Sequence, residues 1–305
     1  MHTEICDGVF LIDTLAARTP GLVASYLIKG EKSALIDPGY PSSADSVLSE
    51  LRALMGTGAQ VDFLIPTHVH LDHAGGIGDL SEAMPNARVL VNQHGFKHLI
   101  DPSKVIANAT ALFGEKAMAV YGTPRPLRAE KLQPVEELHE LDLGSGKKLR
   151  LFYTPGHAWH HMSVFLEKER LLSTGDAAGL HYPGFDFPIP ATPPPGFDEE
   201  QYVKSLMKIR SMDPAGLMLS HFGLVRENVR AFLETNVDTI RRWTSRAAET
   251  VKTGGSMDQL LEYFTADIMG RSGRTLEEIP NHIVRSIRFS AMGCYTYAQE
   301  SISNQ

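Results

Sequence analysis

One stretch constrains this chain more than any other: Thr67-His68-Val69-His70-Leu71-Asp72-His73-Ala74-Gly75-Gly76. Three imidazoles and a carboxylate fall within six residues, from His68 to His73. The run Val61 to Ile65 leads in, with Val61, Phe63, Leu64 and Ile65 apolar, and Pro66 ends it. Such a run reads as a buried strand. If the backbone stays extended past Pro66, His68 and His70 share a face, because strand side chains alternate. Asp72 and His73 follow the turn and precede Gly75-Gly76 and a predicted helix, Ile77 to Ala83. Neutral imidazole and carboxylate are the usual protein ligands of zinc and similar divalent ions. Ligands at i, i+2, i+4 and i+5 cannot share one strand face. They can surround two adjacent ions if the backbone turns between the pairs. Four polar residues on an exposed loop is the bland alternative, and the clustering at a strand end argues against it.

The 305 residues suit one large domain or a core with an appendage. A hydrophobic fraction of 43% and a charged fraction of 21% suffice for a substantial buried core. The formal net charge is -7 and no lysine- or arginine-rich run stands out, which argues against nucleic acid as a partner. Cys6 and Cys294 lie far apart and outside any CxxC pair, so free thiols in a reducing compartment are expected. The start, Met1 to Asp7, lacks the basic and apolar regions of a signal peptide. No stretch is apolar enough to span a membrane, so a cytoplasmic chain with no membrane partner is the expectation.

Strands are expected at Val9 to Asp13, Leu22 to Ile28, Ser33 to Ile36, Val89 to Val91, Leu149 to Tyr153, Ser163 to Leu166, Arg170 to Ser173 and Leu217 to Leu219. Helices are expected at Ser43 to Leu54, Gly95 to Ile100 and Lys104 to Val120, and from Asp198 to Met212 with Asp198 and Gln201 as a capping pair. From Arg226 the pattern is helical throughout, with Met257 to Met269 and Ile279 to Tyr297 as separate helices. Tyr182 to Gly196 holds six prolines with Phe185 and Phe187, and reads either as a stiff connection or as a pocket wall. His94 and His98 stand at i, i+4 on a predicted helix, a spacing that can bind metal. Surface or supporting roles are the preferred reading. Asp37, in Asp37-Pro38-Gly39, is a natural turn residue.

His68-Val-His70-Leu-Asp72-His73 resembles the HxHxDH signature of the metallo-β-lactamase superfamily. Thr154-Pro155-Gly156-His157 resembles its second histidine motif, Ser173-Thr174-Gly175-Asp176 its bridging-aspartate motif, and Leu219-Ser220-His221-Phe222-Gly223 its last histidine motif. The likeness covers residues 5 to 225. It implies an α/β fold, the four-layer αβ/βα metallo-β-lactamase sandwich. The expected organisation is a catalytic core over 1–225 with a helical insertion at about 93–140, and a helical C-terminal extension over 226–305 that packs on the core, walls a pocket or forms a homodimer contact.

The resemblance also implies a ligand set. His68, His70 and His157 hold one divalent ion, Asp72, His73 and His221 hold a second, and Asp176 bridges them. Zinc is the default, with manganese or iron tolerating the same ligands. Asp72 is placed among the catalytic residues as well. Asp37 is expected beneath the metals as a support. His161, in Gly156-His157-Ala-Trp-His-His161, is expected beside the ligands rather than among them. Trp159 and His160 are expected at the rim. Tyr182 is expected near the developing oxyanion, where lactonase-like relatives carry a tyrosine, although the spacing here differs; His181 is equally open. The implied activity is hydrolysis by a metal-bridging hydroxide of a small-molecule lactone, thioester or other ester, as in the lactonase-like and glyoxalase II-like branches. Competing readings are a mononuclear iron persulfide dioxygenase and, less favoured on charge, a nucleic-acid processing hydrolase.

Overall fold

Strands apolar on both faces build the centre of the structure, a computed structural model that describes residues 1–303. Two compact units are formed, neither of them one continuous piece of chain. The first comprises residues 1–153, 160–175 and 215–226; the second comprises 154–159, 176–214 and everything from 227 onward. The expected boundary near 225 is therefore one of several crossings between the units.

In the first unit, β1 (His2–Cys6), β2 (Val9–Asp13), β3 (Ala24–Lys29), β4 (Ser33–Ile36), β5 (Phe63–Ile65), β6 (Arg88–Asn92) and β7 (Leu132–Val135) form one sheet in chain order. The pairs from β1 to β4 are antiparallel and those from β4 to β7 are parallel. Parallel connections need crossovers. These are α1 (Ala44–Met55), the short α2 (Leu71–Ala74) with α3 (Ile77–Ala83), and the group α4 (Phe96–Ile100), α5 (Ser103–Phe113) and α6 (Glu115–Tyr121). The second sheet runs β13-β12-β11-β10-β9-β8, made of β8 (Leu138–Asp142), β9 (Lys148–Tyr153), β10 (Met162–Leu166), β11 (Leu171–Gly175), β12 (Gly216–Leu219) and β13 (Gly223–Val225).

Period-2 alternation sorts the side chains into two cores. Leu27, Leu35, Leu64, Val89 and Val91 pack against Val47, Leu51, Ile77 and Leu80 of the helices. Their neighbours Tyr26, Ile28, Ala34, Ile36, Ile65 and Leu90 face the second sheet and meet Leu151, Met162, Val164, Leu171 and Met218. Residues that alternate along one strand thus serve different cores, which pins the register of the central strands.

Two expectations over 93–140 are corrected. The helix expected from Lys104 to Val120 is two helices, because Gly114 adopts φ 81° and ends α5. The helical insertion does not reach 140: β7 and β8 lie within that range. β7 contains Pro134, which lacks the N–H an interior strand needs, and β7 occupies a sheet edge where that loss is tolerated.

The second unit is mainly helical: α7 (Glu199–Ser211), α8 (Val229–Lys252), α9 (Met257–Ser272) and α10 (Asn281–Ser303). Asp198 caps α7 by accepting from the Gln201 N–H at 2.9 Å. Ser256 and Gln259 form a full capping box at the start of α9. Trp243 of α8 stacks on Phe264 of α9 with ring centroids 3.9 Å apart. The proline-rich segment is no solvent-exposed spacer, since Phe185, Ile189, Ala191 and Thr192 are all buried. Among the described residues no helix is long and apolar enough to cross a membrane.

Candidate metal centre

Functional side chains follow the C-terminal ends of strands, on loops held by the scaffold. β4 ends at Ile36 and delivers Asp37, which is fully buried in a left-handed conformation with φ 49°. Its carboxylate is the hub of the first unit. Oδ1 accepts from the Thr67 N–H at 2.7 Å. Oδ2 accepts from the Thr67 hydroxyl at 2.9 Å, the Ser220 hydroxyl at 2.6 Å and His73 Nδ1 at 2.9 Å. One buried carboxylate therefore ties the loop after β5 to the loop after β12. Four donors compensate its removal from water.

After β5 the chain bends at Thr67 and His68 and reaches His70, which has φ −66° and ψ 155° and begins the single turn α2. The segment is not the extended strand expected, but its two imidazoles still meet: His68 Nε2 and His70 Nδ1 converge to 2.8 Å. The Thr67 hydroxyl gives its proton to Asp37, so its oxygen accepts from His68 Nδ1, 3.1 Å away. That leaves the lone pair of a neutral His68 on Nε2. The helical turn carries Asp72 and His73 round to a second position. There Asp72 Oδ2 lies 3.2 Å from His221 Nε2 and 3.9 Å from His73 Nε2. The ligand atoms of Asp72, His73 and His221 all fall within 4.8 Å of one another, as a single divalent ion requires.

His221 is held from the far sheet. Its Nδ1 donates to the Leu22 carbonyl at 3.0 Å. The Tyr26 hydroxyl donates to the carbonyls of Leu219 at 2.7 Å and Gly223 at 3.0 Å, and the Ala24 N–H donates to the Ser220 carbonyl at 2.8 Å. Burial pushes the Tyr26 hydroxyl well above its usual range and the Asp37 charge pushes it further, so it stays a donor.

The second unit carries His157 and Asp176, with His157 Nε2 3.5 Å from Asp176 Oδ2. His157 Nδ1 donates to the Ala191 carbonyl at 2.9 Å. The Pro155-Gly156 loop rests on α7: the Ser205 hydroxyl donates to the Pro155 carbonyl at 2.6 Å, and the Asp198 N–H donates to the Gly156 carbonyl at 2.9 Å. Gly156 has φ 127°, and a Cβ there would stand 2.2 Å from the Tyr202 nitrogen, so no other residue fits.

His73, His157 and His221 therefore obey one rule. Each has Nδ1 on an oxygen that only accepts, which places the proton on Nδ1 and the lone pair on Nε2. That orientation by an outer acceptor is the arrangement of metal-ligating histidines, and the donor set of imidazoles and carboxylates fits a divalent ion.

The other sequence-selected residues divide. His161 is buried and stacks on His68 with ring centroids 4.9 Å apart, beside the ligands as expected. Trp159 is 47% exposed, but His160 is only 6% exposed and lies 5.8 Å from the His70 ring, so the rim expectation fails for His160. Its ring packs among those of His68, His70 and His98, and its Nδ1 accepts from the Val69 N–H at 3.5 Å. His94 packs near Tyr153 and His98 near His160, and among the described residues neither joins a metal-ligating group. His181 packs on Phe232. Tyr182 is buried, with its hydroxyl 3.0 Å from Ser286 Oγ and its ring against His282. Ser286 spends its proton on the His282 carbonyl, so Tyr182 donates to Ser286. Sequence reasoning missed the backbone acceptors Leu22 and Ala191, which no side-chain motif marks.

Two sheets with imidazoles and carboxylates grouped beyond their strand ends define a class of metal-binding α/β proteins. Residues 18–221 match the metallo-beta-lactamase superfamily, and the chain belongs to that superfamily. The fold is the α/β sandwich expected, with a helical C-terminal extension. The metallo-beta-lactamase fold-containing protein ST1585 of Sulfurisphaera tokodaii is 34% identical over 231 residues, 73% of this chain and 82% of its own. The crystal structure of ST1585 superposes with a TM-score of 0.68 at 27% identity over 97% of this chain and 99% of that one. The Thermus thermophilus protein TTHA1429 shares the fold, with a TM-score of 0.69 at 21% identity over 98% and 95% of the two chains. A Bacillus subtilis protein named as the probable metallo-hydrolase YflN is 25% identical over 214 residues, 61% of this chain and 74% of its own.

Proposed function

We propose that this chain is a dinuclear metal-dependent hydrolase that cleaves a carbonyl ester bond, as in a lactone or thioester, of a small molecule. The carrying observation is the shared proton placement of His73, His157 and His221, which turns three Nε2 lone pairs outward from their anchors. In this reading His68, His70 and His157 serve one ion, Asp72, His73 and His221 the other, and Asp176 both, following the order of the four sequence motifs. Zinc is the preferred metal. Divalent ions in such a site supply Lewis acidity toward a carbonyl oxygen and acidify bound water.

The residues themselves do the rest. Asp37 holds His73 in the required tautomer and ties it to Thr67 and Ser220, so the ligands need not reorganise when charge develops. Asp72, at 19% side-chain exposure more open than Asp37, would orient the attacking water and hold its proton. Tyr182 would reach an oxyanion only by surrendering Ser286, so we assign charge stabilisation to the metal and the anchoring of α10 to Tyr182. A small-molecule substrate and a cytoplasmic setting complete the reading. The net charge of -7 supports the absence of a nucleic-acid partner.

The test is metal content by mass spectrometry on protein purified without chelator, followed by a lactone and thioester panel. Two zinc or manganese ions per chain with turnover of a panel member is the expected result. One iron per chain, with oxygen uptake on glutathione persulfide, would overturn hydrolysis in favour of the dioxygenase.

A further inference from the structure

The segment that holds His157 is itself held by residues with no other evident task. Ala191 presents its carbonyl to His157 Nδ1. On its other side the Ala191 N–H donates to the Tyr202 hydroxyl at 3.3 Å. That hydroxyl also accepts from Asn236 Nδ2 at 3.4 Å, and the same amide nitrogen donates to the Ala178 carbonyl at 2.7 Å. Ala178 stands in the turn that follows Asp176, where the Gly179 N–H donates to the Asp176 carbonyl at 3.0 Å. Asn236 of α8 thus reaches both ligand-bearing segments of the second unit, one through Tyr202 and one directly. From α10, the Ser290 hydroxyl donates to the Pro190 carbonyl at 2.8 Å and the Ser290 carbonyl accepts from the Thr192 hydroxyl at 3.0 Å. A Cβ on Gly293 would lie 1.7 Å from the Thr192 oxygen, so α10 packs its bare backbone against the same segment.

We propose that Asn236 and Tyr202 are positioning residues for the metal ligand His157, acting through the backbone of Ala191, and that α8 and α10 form the bracket that fixes it. The inference rests on the reading of His157 as a ligand. Packing alone is a poor account of this network. Asn236 and Tyr202 are fully buried, and Asn236 Oδ1 has no hydrogen-bond partner among the described residues. A buried amide oxygen left so is a cost that an apolar side chain of similar size would avoid. Burial also raises the Tyr202 hydroxyl well above its ordinary range, keeping it neutral. The peptide that carries the Ala191 carbonyl is held through its Thr192 N–H by the Ser290 hydroxyl at 3.4 Å, and the preceding peptide is held through the Ala191 N–H by Tyr202, so two neighbouring peptide planes are restrained and the carbonyl sets the direction of the imidazole.

The experiment uses the full chain and three variants: Tyr202→Phe, which deletes one oxygen; Asn236→Asp, which keeps the shape and removes the donor; and His157→Ala as the control. Dissociation constants for the two ions are measured separately by chelator competition. Cobalt(II) spectra and thermal midpoints are recorded alongside. The expected result is that Tyr202→Phe and Asn236→Asp weaken one ion about tenfold and alter its cobalt spectrum, the same ion that His157→Ala loses, while the other ion shifts less than about twofold. A lowered midpoint with both affinities and both spectra unchanged would make the network merely structural and overturn the proposal. If His157→Ala leaves both ions in place, the ligand reading itself falls. If only His157→Ala has an effect, the positioning role falls and the ligand reading stands.

Discussion

Replacing Asp37 by asparagine should break the metal centre without touching a ligand. Three donors converge on Oδ2 of Asp37: the hydroxyls of Thr67 and Ser220, and His73 Nδ1. In Asp37→Asn the remaining oxygen can still accept from the Thr67 N–H, but an NH₂ group meets the other three. Hydroxyls can rotate and accept. An imidazole N–H cannot, so His73 must move away or shift its proton to Nε2, where a metal ligand needs its lone pair. Bonds to a charged group contribute about 1.5–3 kcal/mol each, and partial rescue by the hydroxyls leaves a net loss of roughly 3 kcal/mol. At roughly 2–4 °C per kcal/mol for a large domain, the midpoint should fall by roughly 6–12 °C. Affinity for the ion at Asp72, His73 and His221 should fall about 10–100-fold, while the other ion is less affected. Calorimetry on the metal-free protein and chelator competition on the loaded one separate the two effects. An unchanged affinity would refute the role of Asp37 in setting the His73 tautomer, whatever happened to the midpoint.

Other outcomes follow from the same geometry. His70→Ala should abolish activity and binding of one ion, with the midpoint of the metal-free protein moving by less than about 1 kcal/mol equivalent because the side chain is partly exposed; full activity would remove the metal mechanism. Tyr182→Phe should cost about 1 kcal/mol of stability through Ser286 and leave the maximal rate unaltered, whereas a slowed rate at constant metal content would restore an oxyanion role. Burial pushes the Cys294 thiol up to about 12, so at pH 8 it should resist a disulfide reagent in the folded protein and react only in denaturant, unlike half-buried Cys6; rapid labelling of two thiols would contradict this. Because the Cys294 pKa is raised from 9.0, its contribution to stability is complete below pH 9 and declines as pH rises toward 12, which denaturant titrations at pH 8 and 10.5 on Cys294→Ser and parent protein would detect. Ser256→Ala should destabilise the chain by about 1 kcal/mol through loss of the α9 capping box, measured by denaturant unfolding.

What could be read in the sequence, and what could not, has a physical pattern. Among the described residues, nine of the thirteen strands carry a readable apolar run, and several match closely, such as Val9–Asp13 and Ser33–Ile36. The four that escaped, β1, β7, β8 and β13, are the four edges of the two sheets. Edge strands need not be apolar on either face, and they take residues that discourage further pairing. His2–Cys6 is largely exposed, Leu138–Asp142 has no buried residue, and Leu132–Val135 includes Pro134. The metal motifs were legible because imidazoles and carboxylates crowded at a buried strand end are costly unless a cation or a donor compensates them. Asp37 read by itself only as a turn residue, and its place beneath the ligands was legible only through the family resemblance. The anchors of His157 and His221 are main-chain carbonyls of Ala191 and Leu22, and any residue could supply them. His160 misled for a related reason: the rings it packs among, His68, His70 and His98, are distant in sequence, and its own sequence neighbourhood does not reveal them.

The discontinuity of the second unit bears on how the protein is made. A ribosome emits the chain from its N-terminus, and domains tend to fold as they emerge, at about 5–20 residues per second. Every segment of the first unit has been synthesised by residue 226, including Asp72, His73 and His221. His157 is made early, yet the helices that bracket its anchor, α8 and α10, come last. For on the order of ten seconds of synthesis, then, a nascent chain holds one candidate ligand cluster that can already assemble and one histidine whose anchor still lacks α8 and α10. Metal supplied during translation would meet the first before the second, which gives the two candidate sites a natural order of filling.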